Sequence, residues 1–360
     1  MRTKLVAASL LASSALFAAP AFAFEMRSST WATNTVTIQV NSGVPGALPT
    51  HYAKLLDAEA KIDNNASALR FDLVVDNDAV SAVSNGENEL NFTSDPALLC
   101  GSIGCTWIIE GGGQILEADS YFDINYAWTL DDNKWNSIAY DPTKKRPLIN
   151  TAMHELLHTM GAKHENDCIN IMGNAWNVVS TNGDHTEVVV SEDTTSGLIA
   201  VNGQRAGTVT DVSVMHWQLD PVATGASAYS AHRRSRLLDA AGALLPLAFG
   251  YPEPTYEASP GQVIQVEMTL ENRGTASQTP SLGTYWSTNE TITTGDTLLS
   301  ATSPVLNVNV PYETTRTVTI PVTAVPGQVY WVGAIVDRTS ALTESNKVNN
   351  AAYIAAIEVQ

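Results

Sequence analysis

Four side chains in one short stretch could hold and use a metal ion: His154, Glu155, His158 and His164. His154 and His158 are four residues apart, so on a helix both imidazoles project from nearly one face and can reach one ion. Glu155 lies about 100° round the helix from His154, near enough to touch a water beside that ion without taking a ligand position. Gly161 follows, and glycine accepts the positive φ that turns a chain off a helix end. That turn lets His164 come back as a third ligand. Three protein ligands with an open fourth position suit a catalytic zinc, whereas a structural zinc is closed by four.

The residues His-Glu-Leu-Leu-His-Thr-Met-Gly-Ala-Lys-His (154–164) fill every fixed position of HExxHxxGxxH, and in this they resemble the metzincin zinc peptidases. The resemblance implies zinc on His154, His158 and His164, Glu155 as base, and a methionine in a tight turn beneath the histidines. Met172, eight residues past His164 and followed by Gly173, matches the matrixin spacing. Met215, in Ser213-Val214-Met215-His216-Trp217, resembles the astacin turn, and His164-Glu165 is similar to astacins too. The astacin turn requires a tyrosine where Trp217 stands. Residues 191–203 look like the closing helix of matrixins, which would end the catalytic fold before Met215 and favours Met172. Neither turn supplies a tyrosine for the zinc or an oxyanion.

These residues need a rigid frame. Residues 34–40 alternate and are β-branched, which predicts a strand; 48–62 carry apolar residues at helical spacing; 69–75 and 89–92 read as further strands. Residues 115–128 resemble the strand that borders the matrixin cleft, an edge that can pair with an extended peptide. On it, Glu117, Asp119 and Asp123 are either exposed polar positions or structural calcium ligands. Pro147 fits the first turn of the zinc helix, along which Ile149, Ala152, Met153, Leu156, Leu157 and Met160 form a core-facing stripe. The remaining histidines, 51, 185, 216 and 232, read as structural. The expected class is α+β: a metzincin-type twisted mixed sheet with a zinc-binding helix, then an all-β Ig-like sandwich.

The wider organisation follows from composition. Residues 1–23 read as a signal peptide with Arg2 and Lys4 before an apolar run and cleavage near Ala23, so the protein is expected to be secreted or periplasmic. Residues 24–205 are the expected peptidase domain, with no cysteine-switch pro-segment before it. Residues 206–250 read as a connector, and 251–360 as the sandwich, with about seven strands between turn signals such as Pro260-Gly261 and Pro326-Gly327. Residues 285–296 and 336–350 look like the cell-adhesion-related domain found in bacteria, which implies an accessory module and an extracellular surface ligand. Cys100 and Cys105 bracket a short loop that a disulfide could close; Cys168 could pair with either or stay a buried thiol.

A formal charge of −18 argues against nucleic acid as a partner, and no stretch of the mature chain is apolar enough to insert in a membrane. The expected function is a secreted zinc endopeptidase acting on protein or peptide substrates. The alternative is a zinc-binding surface protein with little hydrolysis, which the C-terminal module supports and an intact Glu155 opposes.

Overall fold

The computed structural model describes residues 24–41, 48–76, 83–138, 141, 143–164, 171–173, 179–219, 232–308 and 310–360. The expected signal peptide and Cys168 lie outside them. The described chain is mostly β, in two lobes with separate apolar cores.

The N-terminal lobe begins with β1 (Thr35–Asn41), whose alternation turns Val36, Ile38 and Val40 inward and leaves Thr35 and Thr37 exposed. Helix α1 (Pro49–Asp63) follows, and His51 serves it structurally: its Nδ1 accepts from Leu48 N at 3.1 Å, closing the first turn. Next come β2 (Arg70–Asp76), β3 (Glu89–Thr93), β4 (Gly104–Gly111), β5 (Gln114–Asp123) and helix α2 (Leu148–Thr159). The sheet order is β2-β1-β3-β5-β4, parallel except for the antiparallel β4–β5 pair. Both helices cover one face of this mixed sheet, where Ile38, Leu90, Phe92 and Phe122 meet Leu55, Ile62, Met153 and Leu156. Cutting one such buried leucine to alanine costs about 2–5 kcal/mol.

Two expectations need correction here. The strand read over 115–128 ends at Asp123 and lies inside the sheet, between β3 and β4. Among the described residues the terminal strands of the sheet are β2 and β4, and the one beside α2 is β4, hidden from sequence reading because its start overlaps the cysteine loop. Pro147 also stands just before α2, in the cap position, and not within its first turn.

Glu117 and Asp119 are buried, not exposed. Glu117 accepts from the backbone N–H groups of Ser84, Asn85 and Gly86 at 2.5–3.0 Å, and Asp119 accepts from Glu89 N at 3.2 Å. Asp123 accepts from Asn125 N at 2.8 Å. Each of these carboxylates accepts from backbone N–H groups and so holds a loop. Burial and the neighbouring Glu117 charge push the Asp119 carboxyl up to about 8.

The lobe closes with the hairpin β6 (Val179–Asn182) and β7 (His185–Val188), then helix α3 (Glu192–Asn202). Ser191 caps α3 by accepting from Thr194 N, and Gly203 ends it at φ +80°.

The stretch expected to be a connector enters the second lobe instead. Its strands β8 (Val212–Met215) and β9 (Leu237–Asp239) pair end to end along one side of β11 (Val263–Asn272). Between them, His232–Arg234 pairs with Trp217–Leu219. The other strands are β10 (Thr255–Ala258), β12 (Leu282–Ser287), β13 (Thr297–Thr302), β14 (Tyr312–Thr319), β15 (Val329–Val336) and β16 (Ala351–Val359). Strand β14 lines the other side of β11, and the second sheet runs β10-β16-β15-β12-β13. Seven strands do fall after residue 250, as their alternation and turn signals predict. The sandwich is nevertheless incomplete without β8 and β9.

Candidate metal centre and cleft

Helix α2 is buried on most sides, so His154 and His158 project from a rigid element. The helix ends at Thr159 with Met160 as its cap, and Gly161 adopts φ +96°, with its N–H donating to His158 O at 2.9 Å. A side chain is strained at that φ, which is why glycine stands there. The chain then folds back along the segment after Phe24: Arg27 N donates to Gly161 O and Lys163 N to Glu25 O, each at 2.8 Å.

This return carries His164 Nε2 to 3.0 Å from His154 Nε2 and 3.1 Å from His158 Nε2. Three nitrogens bound at about 2.0–2.1 Å to one tetrahedral ion would lie about 3.3 Å apart. Hydrogen bonding fixes which nitrogens are available. His154 Nδ1 faces Ile171 O at 2.7 Å and His158 Nδ1 faces Ala162 O at 2.8 Å. Each Nδ1 must carry the proton to donate there, which leaves both Nε2 atoms as bare lone pairs. The single proton that His164 Nε2 could carry satisfies one of them. A cation satisfies all three, so the residues present fit a zinc ion. Burial holds His154 well below the usual imidazole range, lowers His158 to about 4 and also lowers His164. All three are therefore neutral at pH 7, the state that binds metal. Among the described residues this is the one group of three or more metal-binding side chains that converges.

Glu155 sits beside the triad, on the helix flank facing β4. Thr106 Oγ1 donates to Glu155 Oε2 at 2.8 Å and also lies 2.8 Å from Ser120 Oγ on β5. Burial pushes the Glu155 carboxyl up to about 7, against the opposing pull of the Thr106 hydrogen bond and the Arg146 charge. At Gly104 the edge strand comes so close that an added Cβ would meet Thr151 Cγ2 at 2.8 Å and Glu155 Oε1 at 3.1 Å. Cys100 and Cys105 are disulfide-bonded and clamp the loop that leads into this strand.

The two methionines of the sequence reading part company. Met172 is buried in the N-terminal core, one residue past the carbonyl that orients His154, and Gly173 lines the cleft. Met215 lies on β8 in the other lobe, with Arg273 Nη2 at 3.7 Å from its sulfur. The further histidines stay away from the centre: His185 is exposed beside Glu187, and His216 is fully buried on the strand side of the second lobe. The His232 side chain lies outside the described residues.

The triad opens into a cleft of about 480 Å³. Sequence reasoning missed Thr106, Gly104 and the basic residues Arg27, Arg146 and Lys163 that line it. Only the short glycine-flanked Cys-Thr run could have hinted at a strand, and nothing local pairs that strand with a helix some 50 residues later.

Comparison with known proteins speaks to the other lobe. Residues 251–353 match the family model CARDB, and the C-terminal lobe carries that domain. Among solved structures, a crystal structure of the CARDB domain of a Pyrococcus furiosus protein, in complex with di-metal ions, is similar at 14% identity. It covers 42% of this chain and 90% of that one, with a TM-score of 0.26. A solution NMR structure of the same organism's CARDB domain is similar at 19% identity, covering 29% and 84%, with a TM-score of 0.23. No curated protein matches.

Proposed function

We propose that this chain is an exported zinc-dependent endopeptidase of the metzincin type, whose CARDB domain serves attachment to a surface or a large substrate. The observation that carries it is the convergence of three neutral imidazole nitrogens beside a buried carboxylate, at the side of an open cleft. A mixed five-stranded sheet with one antiparallel edge bordering that cleft supports it as well.

Zinc, when bound, supplies Lewis acidity that acidifies water and polarises a carbonyl. The chain does the rest. Strand β4, which pairs with no described strand other than β5, offers its outer edge to an extended peptide, which aligns the scissile bond by backbone hydrogen bonds. Glu155 Oε1 takes the water proton, because Oε2 is held by Thr106, and passes it to the leaving amine. The carbonyls of Ile171 and Ala162 keep both helix imidazoles in the one tautomer that leaves Nε2 open. Met172 shapes the floor and carries no proton.

The test is direct. Purified protein should contain one zinc, lost in a triple His→Ala variant, and a chelator should abolish cleavage of a peptide library. Glu155→Ala should keep the zinc and lose about 10²–10⁴-fold in rate. Zinc retained by the triple variant, or wild-type cleavage by Glu155→Ala, would overturn the proposal. The CARDB domain favours a second reading, a zinc-containing surface binder with little hydrolysis; zinc content without cleavage of any library peptide would select it.

A further inference from the structure

The cleft is charged against the rest of the molecule. The chain has 37 acidic and 19 basic side chains. Yet Arg27, Arg146 and Lys163 all line the cleft, and the one carboxylate among its described lining residues is the buried Glu155.

Their placement is built into the fold. The antiparallel bridge between Met26 and Ala162 puts Arg27 and Lys163 on one side of the pairing, because side chains alternate across an extended segment. Arg27 Nη1 reaches Glu110 Oε1 near the far end of β4 at 3.5 Å, a loose and partly exposed pair worth little in water. Its Nε is buried and has no partner. Lys163 is exposed and makes no ion pair with a described residue. Arg146, at the other end, is close enough for its charge to act on Glu155 and His154, while the Arg27 charge acts on His158. The cations therefore border the metal centre from two sides. From Gly104 to Glu110 the edge strand spans about 20 Å at about 3.4 Å per residue, room for some six residues of an extended substrate.

We propose that the cleft selects peptides carrying a carboxylate close to the scissile bond, read by Arg27 and Lys163 at the His158 end and by Arg146 at the Glu155 end. This rests on the peptidase reading of the same site. The carboxylate is an acidic side chain or the free C-terminus of the peptide, and both offer the same oxygens to a guanidinium or ammonium. Selection is local: the −18 net charge repels an acidic peptide from afar, but salt screens that repulsion beyond about 8 Å at physiological strength.

The experiment uses zinc-loaded full-length Glu155→Gln protein, so that nothing is cleaved, and fluorescence anisotropy of labelled peptides. A Gln-containing peptide is compared with versions bearing Glu on either side of the central bond, each as free acid and as C-terminal amide. The expected result is about tenfold tighter binding of acidic over neutral peptides, the low end for hydrogen bonds to charged groups because these cations are partly wet. The advantage should shrink in high salt, fall towards one in Lys163→Gln and in Arg27→Gln or Arg146→Gln, and return in Lys163→Arg. Lys163 is exposed, so its variants are expected to fold. Tighter binding of the Gln free acid than of the Gln amide assigns the carboxylate to the peptide terminus; tighter binding of the Glu amides than of the Gln amide assigns it to the side chain. Equal binding of the neutral Gln amide and of every carboxylate-bearing version, or an advantage unchanged in all three variants, overturns the proposal. Wild-type cleavage without acidic preference would sink this inference and leave the peptidase standing. Acidic preference in binding without wild-type cleavage of any peptide would do the reverse.

Discussion

At the scale of single residues, the proposed base, Glu155, is held by a neighbour two elements away. Thr106 ties Glu155 to the edge strand, and its loss should let the carboxylate swing. Thr106→Val is expected to lower kcat/KM about tenfold, the worth of one hydrogen bond to a charged group, with zinc content unchanged and activity restored in Thr106→Ser. A rate equal to wild type in Thr106→Val would show that Glu155 is held by other means. Gly104→Ala tests the same contact by crowding. Its Cβ must push on Thr151 Cγ2 or Glu155 Oε1, both within 3.1 Å, so a cost of about 1–3 kcal/mol in stability and a clear loss of activity are expected. Thermal unfolding and peptide cleavage measured together check it.

At the scale of elements, the candidate metal centre depends on how α2 stops. Gly161 holds φ +96°, and the turn it allows delivers His164 to within 3.1 Å of the helix imidazoles. Gly161→Ala should cost about 1 kcal/mol or more in turn strain, felt as weaker zinc binding because the third ligand pulls away. Competition against a chromogenic chelator measures it, and undiminished zinc affinity would show that His164 is placed by other contacts. Helix and turn were both legible in the sequence, since 3.6-residue spacing and glycine are local signals. The edge strand was not. Thr106 and Trp107 alternate weakly, and what makes β4 an edge is that no described strand pairs beyond it, a property of the whole sheet.

At the scale of the molecule, the two lobes are bolted together by buried polar groups. Lys134, fully buried, donates to Glu253 at 2.8 Å, Glu290 at 2.6 Å and Tyr353 at 2.9 Å. Asn182 exchanges two hydrogen bonds with Ile292, and Glu192 on α3 accepts from the backbone of Asn272 and Val310. A protein cut near Pro246 keeps β8 and β9 but loses β11, their partner strand. It is therefore expected to aggregate, whereas a cut near residue 206 removes the second sheet system whole; solubility and circular dichroism of the two truncations separate these outcomes.

The same seam makes stability depend on pH. Burial and the charge of Glu271 push the Glu192 carboxyl up to about 9. Its folded value lies above the unfolded one, so the stability it contributes is full below about pH 4.5 and is lost as pH rises towards 9. One such proton gives at most about 1.4 kcal/mol per pH unit. Glu192→Gln should therefore flatten the fall in stability between pH 5 and 9, read from urea unfolding midpoints. An unchanged slope would mean that the two backbone donors already keep Glu192 ionised.

The sequence by itself determined the histidine spacing, the glycine turn and the β character of the last 110 residues, because spacing, φ preference and alternation are written within a few positions of one another. Only the tertiary structure decided the rest. Which strand borders the cleft, which hydroxyl holds Glu155, which three cations line the cleft and where the second lobe begins all depend on pairings between residues tens to hundreds of positions apart. Thr106 meets Glu155 across 49 residues, and Lys134 meets Tyr353 across 219. Such contacts follow from how sheets and helices stack to bury apolar surface, and no local pattern of residues encodes which partner a polar side chain will find there.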